Sequence, residues 1–329
     1  MGVPLTRTGY DDLVLRGCIM ISFEMMRFTT LIFLLGLGHS AAGENPFKTV
    51  GPLDADFPTV QAAIDAIPAN NRRQKLILIQ PGAYFGHTVL DKPHVTLRGA
   101  GPETLLTYNL GQAVPGVDMQ PVGWQGAAAL LVTANDARIE NLTIENTYGK
   151  GMQAQACSVS ADRVAFVRCR IMGWQDTLKV DTGRLYFEQC YIAGHVDFIY
   201  GSATAFFSDC EIFCREPGYI VAPSTPPEKV GFVFEKCRVT FPFGDPKVYL
   251  GRPWRDSPSA TFVQCELGAG IRNEGWREWN VKPPLVRFAE YGCAGPGAAI
   301  DARVDWVKTS VSPPPAGFSK EAVLGDWKP

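Results

Sequence analysis

The sequence is poor in the groups on which most hydrolases depend. Four histidines occur among 329 residues, and neither the G-x-S-x-G turn that presents a catalytic serine nor the H-E-x-x-H pair that holds zinc is present. A serine-elbow hydrolase and a zinc protease of that type are set aside. Excess charge of either sign is missing too: 31 basic against 33 acidic residues leave −2 at pH 7. There is then no electrostatic case for nucleic acid or an anionic membrane. Long hydrophobic runs are scarce, and the apolar stretch "FTTLIFLLGLG" (28–38) is too short for a comfortable membrane span. Little of the chain has helical periodicity, while Gly 33 and Pro 25 point to many turns.

What the N-terminus does contain has the form of a secretory signal. Arg27 precedes the apolar stretch and "HSAAGE" follows it, which supplies the basic residue, the apolar segment and the small residues for cleavage. Cleavage is expected after Ala42, with a buried strand or an anchor as the competing reading. The residues ahead of the stretch are unusual for a signal, and Met25 or Met26 is an alternative start. A signal region over 1–42 and an exported domain over 43–329 are expected.

Nine cysteines in an exported protein suggest disulfides, but their setting suggests a repeat. "FVRCRI" (166–171), "FEQCYI" (187–192), "FSDCEI" (207–212), "FEKCRV" (234–239) and "FVQCEL" (262–267) share Phe-x-x-Cys-x-aliphatic. Cys169, Cys190, Cys210, Cys237 and Cys265 are spaced by 21, 20, 27 and 28 residues. "IENLTI" (139–144) is an earlier copy with Leu142 in the cysteine slot, and "HVTLRG" (94–99) a degenerate one. Repeats of this length are stacked supersecondary units, and alternating Phe, Ile and Val make the unit one of strands. The architecture expected is all-β, a parallel β-helix. The cysteines form an inward ladder, with a disulfide among them as the alternative. Cys18 falls outside the mature chain; Cys157, Cys214 and Cys293 are unassigned. A capping helix is expected over "TVQAAIDAIP" (59–68), with Thr59 as N-cap and Val60, Ile64 and Ile67 on its buried face. After residue 305 the pattern fades and the tail packs on the outside.

The stack places two carboxylates together. Asp176 in "GWQDTLK" (173–179) and Asp197 in "GHVDFIYG" (194–201) each lie seven residues after a repeat cysteine. They occupy the same slot of consecutive coils, roughly 5 Å apart. Two acids so close do not both ionise readily, which leaves a proton donor beside a carboxylate. A surface acid ladder or a metal site is the bland reading, but the equivalent slot of the next coil is Pro217. Gln175, Gln153, Arg252 and Trp254 offer amide donors, a bidentate partner for a carboxylate and a stacking face. Singly, each such residue is more often structural. His195, two residues from Asp197, is read as a polar neighbour.

With these residues in view the chain resembles the pectin methylesterases (pectinesterases). "DADFPTVQAAIDAIP" (54–68), "ARIENLTIENTYG" (137–149), "QAQACSVSADRVAF" (153–166), "WQDTLK", "GHVDFIYG", "YLGRPW" and "FAEYGCAGPGAAIDARVDW" (288–306) follow the family's order over nearly all of the mature chain. The resemblance implies a right-handed parallel β-helix and one catalytic domain that hydrolyses methyl esters of polygalacturonate. Asp197 would be the nucleophile and Asp176 the acid/base. Gln153 and Gln175 would form the oxyanion hole, Arg252 would orient Asp197, and Trp254 and Tyr200 would line the sugar cleft. It implies no metal or cofactor, pectin as partner, a secreted extracellular monomer, and no membrane attachment once the signal is removed. Lys179 stands where the family usually has an aromatic, His195 where a small or polar residue is usual, and Tyr200 where Phe is common. Lys179 would favour a substrate richer in free carboxylates, or be an exposed rim residue. A β-helix glycoside hydrolase and a non-catalytic carbohydrate-binding surface protein are the alternatives.

Overall fold

Each Phe-x-x-Cys segment folds as two strands separated by two residues, the first of which is in the left-handed region. In the first, Val164–Val167 runs into Arg168 at φ 51°, and the chain leaves along Arg170–Met172. Gln189, Asp209, Lys236 and Gln264 repeat the turn at φ 50° to 53°, as does Asn141 in the copy that carries Leu142. Such a conformation is unfavourable for a residue with a Cβ. Stacking offsets it, because the turn amide donates to the next coil: Arg168 to Glu188, Gln189 to Ser208, Asp209 to Glu235.

The computed structural model describes residues 48–242, 247–255, 257–279 and 285–329. Residues Pro46–Pro329 form one compact unit; the expected signal region, with Cys18 and His39, lies outside the described residues. Among the described residues, parallel pairing builds an eleven-stranded sheet and a thirteen-stranded one. The larger is two faces of the coil joined where the long strands Tyr191–Gly201 and Glu211–Pro223 run unbroken around a corner. This is the all-β parallel β-helix expected from the repeat.

Inside the coil the Phe and Cys slots stack. Rings of Phe166, Phe187, Phe207, Phe234 and Phe262 lie 4.4–4.9 Å apart, nearly parallel. Each thiol donates to a carbonyl of the preceding coil, as Cys190 does to Phe166 at 3.5 Å and Cys237 to Phe207 at 3.4 Å. The eight cysteines described are free. Cys293 is one more rung, donating to Phe262. Its coil departs from the Phe-x-x-Cys pattern because Glu290 fills the Phe slot opposite Phe262. Glu290 is 1% exposed and is held by Arg303 and the Trp276 indole.

The two terminal helices pack differently, one at an end of the stack and one on its side. The helix is Val60–Asp65, shorter than its sequence pattern, with the Thr59 hydroxyl accepting from Ala62 at 3.2 Å. Gln61 accepts from the Val89 amide at 2.7 Å and donates to the Val89 carbonyl, which satisfies an otherwise open strand edge. At the other terminus Val323 and Leu324 of the helix Lys320–Leu324 pack outside the first sheet, against Tyr186, Phe206 and Val233.

Because Phe207 is clasped by rings on both sides, Phe207→Ala is expected to cost about 3–5 kcal/mol in urea denaturation. Phe85→Ala, at an exposed ring, should stay within about 0.5 kcal/mol.

Candidate active site

The corner that joins the two faces is where both aspartates emerge. Leu178 pairs with Ile199 in parallel register, so Asp176 and Asp197 occupy matching positions of adjacent coils. Both adopt left-handed backbone, at φ 60° and 50°, a region that short polar residues tolerate best. The Thr177 hydroxyl ties the first bend to Trp174 and Ala193, and the Asp176 amide donates to Val196 at 3.0 Å. Two glycines bracket the second bend. A Cβ at Gly194 would overlap Phe198, and at Gly201, φ 126°, the Val180 carbonyl.

Register explains one difference from the sequence pattern. Gly194 pairs with Cys214, but Val196 pairs with Tyr219 and Ile199 with Val221. Extra residues enter between those pairs, so Pro217 is not the neighbour of Asp197; residues 219–221 are.

The two acids have unlike surroundings. Arg252 donates to both oxygens of Asp197, at 2.9 Å and 2.5 Å. Its guanidinium lies 4.0 Å from the Tyr219 ring centroid and 3.9 Å from that of Trp279. The sandwich holds the fork in place and keeps water from the ion pair. Asp197 is 7% exposed; burial raises its pKa and the Arg252 contacts oppose the rise. Asp176 has no such partner: burial, then the charge of Asp197, push its pKa up to about 8 against the weaker pull of Arg252 and Lys179. The arrangement gives a carboxylate beside a carboxylic acid at neutral pH.

Both open into a cleft of about 420 Å³ whose lining includes Gln153, Gln175, Tyr200, Arg252 and Trp254. All seven site residues expected from sequence therefore meet in one place. Tyr200 accepts from Gln155 at 2.8 Å and stands edge-on to Trp254. His195 is absent from the lining; it packs on the edge of Trp174, and burial lowers its pKa. Lys179 is not a rim residue: it is 5% exposed and lines the cleft. Sequence reasoning missed Gln112, Trp124 and Trp279 in the lining. They come from connections outside the repeat, whose register no spacing reveals. Among the described residues no three His, Cys, Asp or Glu side chains converge as a metal site would require.

Residues 52–319 match the model of the pectinesterase family. The chain belongs to that family. It is 37% identical over 263 residues to pectinesterase 31 of Arabidopsis thaliana, covering 76% of this chain and 83% of the relative. Pectin methylesterase from carrot superposes with a TM-score of 0.78 at 26% identity, over 87% of this chain and 95% of that one. A pectin methylesterase crystallised with a hexasaccharide gives 0.79 at 26% identity, over 87% and 99%.

An acid with its pKa raised by folding costs this pectinesterase stability as pH rises. Between an unfolded value near 4 and about 8, the folded state binds the extra proton, so stability declines across that window. Asp176→Asn removes the effect. Its melting temperature should exceed that of the wild type at pH 7.5, and the gap should close by pH 4; a gap independent of pH contradicts the assignment.

Proposed function

We propose that this pectinesterase hydrolyses the methyl esters of polygalacturonate to free carboxylate and methanol, with Asp197 as nucleophile and Asp176 as acid and base. The observation that carries the reading is the unequal pair: an arginine-held carboxylate beside an acid whose pKa is near 8. The hexasaccharide bound by a structural relative supports a polysaccharide in the cleft.

An Asp197 oxygen attacks the ester carbonyl, and the carbonyl electrons move to its oxygen. The amides of Gln153 and Gln175, both in the lining, donate to that oxyanion, an effect worth about 3 kcal/mol per donor. As the C–O bond to methoxide breaks, Asp176 delivers its proton and methanol leaves. The galacturonyl–Asp197 anhydride is then attacked by water, which gives a proton to Asp176; the acyl bond breaks and the Asp197 carboxylate returns. Arg252 keeps Asp197 aimed and ionised at the start of each cycle. Trp254 and Tyr200 offer faces to the sugar rings.

Export fits an extracellular polymer. The reading takes 1–42 as a signal that is removed and 43–329 as one catalytic domain, acting in the extracellular space as a monomer with no metal or cofactor. Among the described residues no helix is long and apolar enough to cross a membrane.

Methanol release from highly methylated pectin, followed beside a reducing-end assay, tests the reaction. Asp197→Ala should lose at least about 10³-fold in kcat, and Gln175→Ala about 10²-fold. The wild-type rate should fall as pH rises through about 8, where Asp176 loses its proton, and fall again in acid as Asp197 gains one. New reducing ends without methanol would favour a glycosidase acting through the same pair.

A further inference from the structure

Lys179 carries an ammonium into the cleft beside the reacting pair. It occupies the outward row of one face of the coil, pairing with Ser158 on one side and Tyr200 on the other, and Tyr200 with Ala222 beyond. Lys179, Tyr200 and Ala222 all line the cleft. The side chain is 93% buried, counted from its 7% exposure. Its ammonium pairs with Asp181, lies 4.0 Å from the Trp124 ring centroid and 5.9 Å from that of Tyr200.

Desolvating an ammonium is costly, and one carboxylate plus a ring face does not exhaust its three donors. Two cations line the cleft among the described residues, Lys179 and Arg252. Arg252 already has its charge paired with Asp197, through Nε and one Nη, between two aromatic rings. Lys179 is therefore the group with which an incoming anion would pair, in a site shielded enough for such a pair to matter.

We propose that Lys179 is a specificity-determining residue that pairs with a free carboxylate on a sugar unit near the one being demethylated, so that the enzyme prefers partly demethylated polygalacturonate to the fully methylated polymer. The inference rests on the pectinesterase reading and deepens it. Each turnover makes a carboxylate, so the product of one reaction becomes a recognition element for the next on the same chain. A lysine serving only to clamp Trp124 over the sheet through Asp181 would show no preference between the two polymers.

The test is kcat/KM for methanol release from fully methylated polygalacturonate and from the same polymer partly demethylated by mild alkali. Wild-type enzyme should favour the partly demethylated substrate. In Lys179→Gln, which keeps a donor for Asp181, that ratio should fall about tenfold, the worth of one charge-assisted hydrogen bond, mainly through KM. Lys179→Arg should retain most of it. An unchanged ratio in Lys179→Gln overturns the proposal, as does a variant altered only in the pH dependence of kcat, which would make Lys179 a tuner of Asp176. Should the variants not fold, a wild-type ratio of one or less overturns it by itself. Methanol from neither polymer would instead refute the pectinesterase reading.

Discussion

The backbone of each coil hydrogen-bonds to the coils on either side, so a side chain at one point of the turn meets its counterpart about 4.8 Å away. That spacing builds the phenylalanine and cysteine stacks inside the molecule. It also confines Asp176 and Asp197 to the same corner, where Leu178 pairs with Ile199. The left-handed residue before each repeat cysteine is tolerated for the same reason, since its amide is satisfied only when the next coil is present. A solenoid of this kind stores its functional geometry in register.

Equal positions do not mean equal chemistry. Asp197 meets Arg252, delivered by the connection after Tyr249–Gly251 and gripped between Tyr219 and Trp279. Asp176 meets burial and the charge of its neighbour. The asymmetry comes from outside the repeat, through the extra residues after Cys214 that put Tyr219 opposite Val196, where unbroken register would have put Glu216. The regular part of the stack brings the acids together, and the irregular part tells them apart. Water exclusion by the aromatic sandwich then strengthens the one contact that must persist, because a charge pair weakens wherever solvent reaches it.

Much of this was legible in the residues. The Phe-x-x-Cys period exposes the coil length, and coil length aligns Asp176 with Asp197 before any coordinates are known. The same counting, carried three residues further, would have put Lys179 beside Tyr200 and inside the cleft. The rest was hidden for definite reasons. Glu290 in a Phe slot breaks the repeat because Arg303, thirteen residues on, supplies its partner. Trp124 and Trp279 lie in connections whose path depends on packing, and no periodicity marks them. Gln155 lies just ahead of the strand Cys157–Ser160, and its bond to the Tyr200 hydroxyl, two coils on, appears only when the coils are stacked.

Turnover by this pair requires one acid to be protonated and its neighbour ionised in the resting cleft. Titration of the aspartate side-chain carboxyls by carbon NMR, in wild-type protein and in Asp176→Asn, observes that directly. One carboxyl should titrate near pH 8 in the wild type and vanish from the variant. If every aspartate of the wild type titrates below about pH 5, as unperturbed carboxyls do, the unequal pair does not exist and the mechanism built on it falls.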